Sequence, residues 1–220
     1  MIIVALTDLH GSTDHLSTAT TDLAAADLVL LCGDITHFGH RADAARVIEA
    51  VRTYNQRILA VAGNCDHPDV ADYLLEEDID LHRRHLMVGG IAFAGLGGAL
   101  PGPGWSPNQY SETEARRMLD EIAIGLPPDV PSVLVSHQPP FDTATDLVRV
   151  GHHVGSEAVL GFIRHQQPLY CFTGHIHESR GVDAVGLTTV INPGPFRHGH
   201  YAVVDTERET VNLRQVATGG

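Results

Sequence analysis

Seven side chains able to hold a metal ion stand just past short apolar runs in this chain: Asp8, His10, Asp34, Asn64, His137, His175 and His177. Two carboxylates, four imidazoles and one amide form a mixed oxygen and nitrogen donor set. Such a set suits Mn, Fe, Zn or Ni and disfavours a thiolate-type structural zinc site. It is too large for one ion and fits two ions that share a carboxylate. Two cations about 3.5–4 Å apart can clamp the attacking and leaving oxygens of an in-line displacement at phosphorus. Asp8 and His10 are two residues apart, so a strand continuing through them would present both on one side.

The elements that must position these groups can be read from the pattern. Met1 to Leu6 is a short buried strand, and Ser12 to Asp27 reads as a helix with polar capping material. Leu28 to Cys32 is a second strand, Arg41 to Tyr54 a helix, and Ile58 to Ala62 a third strand. A short helix opens at Pro68. This β-α-β-α-β-α order predicts a parallel sheet with flanking helices. Each strand ends in a polar cluster, and ligands of open parallel sheets gather outside the carboxyl ends of the strands.

Further along, Leu86 to Val88, Gly89-Gly90 and Ile91 to Leu96 predict a β-hairpin. Gly97 to Asn108, rich in Gly and Pro and carrying the single tryptophan, Trp105, is a long loop expected to wall a pocket. Ser111 and Glu114 form a capping box for a helix to about Ile124. Ser132 to Ser136 is a buried strand, Ser156 caps a helix through Ile163, and Leu169 to Thr173 is another strand. The remainder is β-rich and lacks helices, which predicts antiparallel pairing in a second sheet. No repeat or linker divides the chain, so residues 1–220 are expected to form a single domain.

Composition narrows the function classes. An apolar content of 43% with mean hydropathy near zero describes a soluble globular chain. No run approaches the ~18 apolar residues of a membrane span. Met1 leads into a strand without a basic leader segment, so the cytoplasm is the expected compartment. The net charge is −13 and every one of the 14 basic residues is arginine. That balance disfavours non-specific nucleic-acid binding. Cys32 and Cys171 lie in apolar runs and read as buried thiols.

The series Asp8-Leu9-His10, Gly33-Asp34, Gly63-Asn64-Cys65-Asp66, Ser136-His137 and Gly174-His175-Ile176-His177 resembles the calcineurin-like metallophosphoesterase superfamily. The likeness spans nearly the whole chain. Gly33-Asp34-Ile35-Thr36-His37, Ser136-His137-Gln138-Pro139-Pro140 and Asn192-Pro193-Gly194 further resemble its Icc-related branch of phosphoesterases. The resemblance implies an α/β fold, a four-layer αββα sandwich of two mixed sheets. It implies two divalent transition-metal ions, Mn favoured. One would take Asp8, His10 and His177, the other Asn64, His137 and His175, with Asp34 bridging them beside a hydroxide that attacks phosphorus. A phosphodiesterase on small, including cyclic, nucleotides is the expected activity. A phosphomonoesterase or nucleotide pyrophosphatase is the enzymatic alternative, and a non-catalytic scaffold the alternative of another class. Oligomeric state is not specified.

Cys65 departs from the resemblance, since many relatives place a leaving-group histidine there. His37 or His67 are the expected substitutes, with Asn64 stabilising phosphoryl oxygens and Asp66 holding its loop. Cys65 itself is expected to pack beside the site and not to act as a nucleophile. His152 or His153, before a helix start that could receive a phosphate, are expected substrate contacts. Arg197 and Arg180 are the expected phosphate-binding guanidinium groups. His198 and His200 are expected to be structural, and His15, His40, His82, His85 and His165 to be ordinary solvated side chains.

Overall fold

The computed structural model describes residues 1–216. In chain order the first part holds β1 (Ile2–Leu6), α1 (Thr20–Ala25), β2 (Leu28–Cys32), α2 (Arg41–Arg52), β3 (Ile58–Val61) and α3 (Pro68–Glu76). The middle holds β4 (His85–Val88), β5 (Ile91–Leu96), α4 (Glu112–Gly125), β6 (Ser132–Ser136), α5 (Glu157–Gln166) and β7 (Tyr170–Phe172). The last part is β8 (Gly181–Val185), β9 (Thr188–Asn192), β10 (His200–Asp205) and β11 (Thr210–Gln215).

One sheet runs β11-β10-β1-β2-β3 and the other β4-β5-β6-β7-β9-β8. Both are mixed: β1, β2 and β3 are mutually parallel, as are β5, β6, β7 and β9, and antiparallel strands close every edge except the one at β3. Alternation along each strand builds the layers. Ile3 and Ala5 of β1 meet Val133 and Val135 of β6 between the sheets, while Val4 and Leu6 face Leu23, Val47 and Ile48 of the helices. On the far side Leu134 and Cys171 pack under α4 and α5. The result is the expected four-layer αββα sandwich. Each fully buried Leu or Ile contributes roughly 1.5–3 kcal/mol.

Two expectations change. The helix predicted over Ser12 to Asp27 is helical only at Thr20–Ala25. Ser, Thr and Asp before it compete for backbone groups, as the Thr20 hydroxyl does by donating to the Ser17 carbonyl at 2.6 Å. The β-rich tail is also divided between the sheets. β8 and β9 join the second sheet, but β10 and β11 return to the first, with β10 antiparallel to β1. β1 is almost entirely buried, and without β10 its outer backbone groups would lack partners. The chain crosses back through Pro195, which bridges to Thr7.

Candidate metal centre

The parallel strands of both sheets end at the same side of the sandwich, and all seven predicted ligands stand there. The turns that carry them are not extended. Asp8 (φ 52°), His10 (φ 48°), Asp34 (φ 48°) and His175 (φ 66°) all adopt left-handed backbone. This replaces the strand alternation expected for Asp8 and His10: the pleat ends at Thr7, and sharp turns bring the two side chains together. Such conformations cost roughly 1–3 kcal/mol each and persist where the surroundings over-determine them. Here the Asp8 N–H donates to the Gly33 carbonyl at 3.1 Å and the His10 N–H to the Asp34 carbonyl at 2.9 Å. The neighbouring turns approach so closely that a Cβ on Gly63 would strike the Asp34 backbone, and one on Gly174 the Thr7 hydroxyl. Only glycine fits at either point.

The side chains form two groups around Asp34. In one, Asp8 Oδ1 is 3.1 Å from His177 Nε2, which lies 3.3 Å from His10 Nε2. In the other, His137 Nε2 is 3.1 Å from Asn64 Oδ1, and the His175 ring lies 5.3 Å from that of His137. Asp34 faces both, with Oδ2 3.7 Å from His10 Nε2 and Oδ1 3.4 Å from His137 Nε2. Asp8, His10 and His177, and likewise Asp8, Asp34 and His137, converge closely enough to hold an ion.

The atoms turned away from the centre are occupied. His137 Nδ1 pairs with the Cys32 carbonyl at 2.8 Å, which fixes the proton on Nδ1 in the neutral ring and leaves Nε2 as a lone-pair donor. Asp8 Oδ2 accepts from the Thr7 hydroxyl at 2.9 Å and the His175 N–H at 3.2 Å, freeing Oδ1 for the centre. The Cys65 N–H donates to Asp34 Oδ1 at 2.8 Å. Burial pushes both carboxyl groups up, but His137 and His10 hold Asp34 well below the usual range, and His177 and His137 hold Asp8 below it. Burial and the charge on His137 push His175 down to about 4, and burial lowers His10. Burial also opposes charge on His137, yet Asp34 and Asp8 raise it to about 9. Inward lone pairs, braced outer atoms and converging carboxylates fit two divalent cations.

Other predicted residues fall in several places. Asp66 is fully buried and accepts from the Ile35, Thr36 and Gly63 N–H groups and the Thr36 hydroxyl, at 2.7–3.1 Å. Burial and Asp34 raise its pKa to about 6. It ties the Asp34 turn to the Asn64 turn and is placed to hold the loop, not to touch substrate. The Cys65 thiol is buried against Asn64, and burial and Asp34 push its pKa up, away from a nucleophilic thiolate. His37 is exposed at the rim with Nδ1 3.4 Å from His10 Nδ1. His67 instead stacks on His40, ring centres 4.1 Å apart, and adjoins Trp105. Arg197 stands at the centre: its terminal nitrogen is 3.3 Å from His177 Nδ1, while its buried Nε has no partner among the described residues.

Arg180 does not serve as expected, because it donates to the Pro193 and Arg214 carbonyls. The helix start near His153 is not open to phosphate either. The Glu112 carboxylate already accepts from the Ser156 hydroxyl and the Glu157 and Ala158 N–H groups. His153 is paired at 2.7 Å with buried Asp146, which also braces the Thr143 and Gly155 backbone. His82 is not a solvated side chain: its Nδ1 accepts from the Gly97 N–H at 3.0 Å, and burial lowers its pKa to about 4.

Three supporting residues escape a reading of the sequence for ligands alone. Thr7 orients Asp8. Asn192 is fully buried, donates to the Ile176 carbonyl between the two histidines at 3.0 Å, and accepts from the Gly194 N–H. Gln138 accepts from the Leu100 N–H and donates to the Val154 carbonyl, fastening together two long loops, the one from Gly97 to Asn108 and the one between β6 and α5. Asn192 and Gln138 stand within motifs quoted above, the only sequence signal for them.

The profile of the calcineurin-like phosphoesterases matches residues 1–179. The chain belongs to that family, and the site is that of a metal-dependent phosphoesterase. It is 36% identical over 217 residues to the uncharacterized protein MJ1162 of Methanocaldococcus jannaschii, covering 97% of this chain and 95% of the relative. The solved structure of TT1561 from Thermus thermophilus superposes with a TM-score of 0.78 at 20% identity, covering 98% of each chain. A dimetal phosphatase from Danio rerio gives a TM-score of 0.63 at 15% identity, covering 98% of this chain and 95% of that one. These two structures share the fold.

Proposed function

We propose that the chain is a phosphodiesterase acting on small phosphoesters, with two Mn²⁺ ions held by the seven residues at the strand ends. The observation that carries this reading is Asp34, whose two carboxylate oxygens face separate ligand groups within 4 Å. Asp8, His10 and His177 would hold one cation, Asn64, His137 and His175 the other, and Asp34 would serve both. When bound, such a pair supplies Lewis-acid charge to phosphoryl oxygens and lowers the pKa of nearby water.

The chain's own groups do the rest. Thr7, Cys32 and the Cys65 N–H keep Asp8, His137 and Asp34 oriented before substrate arrives, which is the preorganisation that catalysis by charge requires. Arg197 brings a guanidinium to the same opening and can donate to a phosphate oxygen. His37, exposed at the rim beside His10, is the group positioned to protonate a leaving oxygen. His67 is drawn off by its stack on His40.

Two cavities flank His175, which supports a phosphate carrying two ester arms. A nucleic-acid polymer is disfavoured by the charge of −13. No helix among the described residues is long and apolar enough to cross a membrane. We infer a cytoplasmic setting from three free thiols.

Metal-stripped protein given Mn²⁺ should hydrolyse bis-p-nitrophenyl phosphate, and more efficiently than p-nitrophenyl phosphate. No hydrolysis of either with any divalent metal would refute the reading. A preference for the monoester would reassign the substrate class.

A further inference from the structure

The two cavities at the centre differ in character. One, of about 240 Å³, lies over Asn64 and His175 and is bounded by Phe38, Trp105, Ser106 and Gln109. The other, of about 380 Å³, lies on the opposite side of the Leu100–Pro103 ridge and reaches His175 from there. Its walls are Leu100, Pro101, Pro103, Val148, Val154 and Ile176. The one polar side chain facing this second cavity, apart from His175, is Gln138. Each end of its amide is engaged once, by the Leu100 N–H at 3.0 Å and the Val154 carbonyl at 2.9 Å. The same two bonds join the two long loops that form opposite walls, so the cavity is a braced feature. The Ser179 hydroxyl, donating to the Leu147 carbonyl at 2.6 Å, anchors the second loop to the turn that carries His175 and His177.

A nucleobase needs several converging donors and acceptors to be recognised, and beside His175 the side chains of this cavity offer only the second N–H and second lone pair of Gln138. An aliphatic chain needs only apolar area. Beside Val148 in the same loop, Leu147 is 42% and Val150 77% exposed.

We propose that this cavity binds an aliphatic ester arm of the substrate, so that the physiological phosphoester carries an alkyl or acyl chain on one side of its phosphorus. The proposal rests on the phosphoesterase reading above and names the substrate class of the same site.

The test is calorimetric titration of the Mn²⁺-loaded protein with n-alkylphosphonates from methyl to octyl. Affinity should rise about fourfold for each of the first methylene groups buried. Val148→Asp and Val154→Asp, on different stretches of the loop, should each flatten the series. Val182→Asp, on β8 and outside the cavity, should leave it intact and controls for a general loss of apolar binding. A flat series in the unaltered protein would overturn the proposal, as would a series that both cavity variants leave unchanged. Binding of an adenosine 5′-phosphonate tighter than that of octylphosphonate, and weakened by both Val148→Asp and Val154→Asp, would put a base in the cavity and overturn it too. Calorimetry needs no turnover, so a rising series in a protein that hydrolyses nothing separates failure of the hydrolytic reading from failure of this one.

Discussion

On one side of Asp34, His137 is fully buried, its outer nitrogen fixed on the Cys32 carbonyl and its inner nitrogen against Asn64. On the other side, the His177 side chain is 30% exposed, and among the described residues its outer nitrogen pairs only with a long side chain, that of Arg197. A ring held by main chain has one orientation, whereas a ring held by a guanidinium can turn when that guanidinium is recruited elsewhere. The buried half is therefore a fixed socket. The open half is the side where substrate phosphate, Arg197 and His37 can meet.

Asp34 belongs to both halves, so removing its charge should have the largest effect. Asp34→Asn keeps the shape and the bond from the Cys65 N–H but weakens both cation sites. Hydrolysis of bis-p-nitrophenyl phosphate should fall by about a thousandfold or more. Retained activity would remove Asp34 from its shared role.

The next effect separates the halves. His177→Gln should weaken one cation by about tenfold to a hundredfold and leave the thermal midpoint nearly unchanged. His137→Gln should weaken the other cation further. It should also lower the midpoint by several degrees, because a buried carbonyl loses its donor at about 1–3 kcal/mol. Metal titration and thermal unfolding of the two variants read both effects; equal behaviour would erase the distinction between socket and open half.

Acidity gives the most graded contrast. Without cations the His137 pKa is raised to about 9 by Asp34 and Asp8 against the effect of burial. A raised imidazole pKa stabilises the metal-free fold below the unfolded value of about 6.5. That contribution is lost as pH climbs through about 9. A cation must displace the same proton, so affinity at the buried half should rise about tenfold per unit between about pH 6 and pH 8. His10 and Asp8 are both lowered, so the open half should respond less steeply. Titrations of His137→Gln and His177→Gln at each pH assign the slopes.

The same contrast marks what a sequence reader can see. All seven candidate ligands, and the order of strands that delivers them, are legible because ligand chemistry and apolar periodicity are local properties. The fold that brings Asp8 beside His177, 169 residues later, follows from the rule that parallel strands gather ligands at one edge. What the pattern conceals is non-local. The left-handed turns at Asp8, His10 and Asp34 are held by neighbouring strand ends, on residue types that tolerate this backbone but do not by themselves announce it. The return of β10 to the first sheet is set by the unpaired edge of β1. His82, Glu112 and Asp146 look like surface residues in sequence, yet each accepts from a loop or helix N–H that has no other acceptor among the described residues. Glu112 in particular closes the helix start that, in sequence, looks ready for phosphate.

The central claim is that this protein holds two cations on one shared carboxylate. Metal-free protein titrated with Mn²⁺, with bound ions counted per chain by mass spectrometry of the desalted sample, tests it directly. Two ions per chain are expected for the unaltered protein, and fewer than two for Asp34→Asn. A single ion in the unaltered protein at saturation, or two retained by Asp34→Asn at undiminished affinity, would contradict the account.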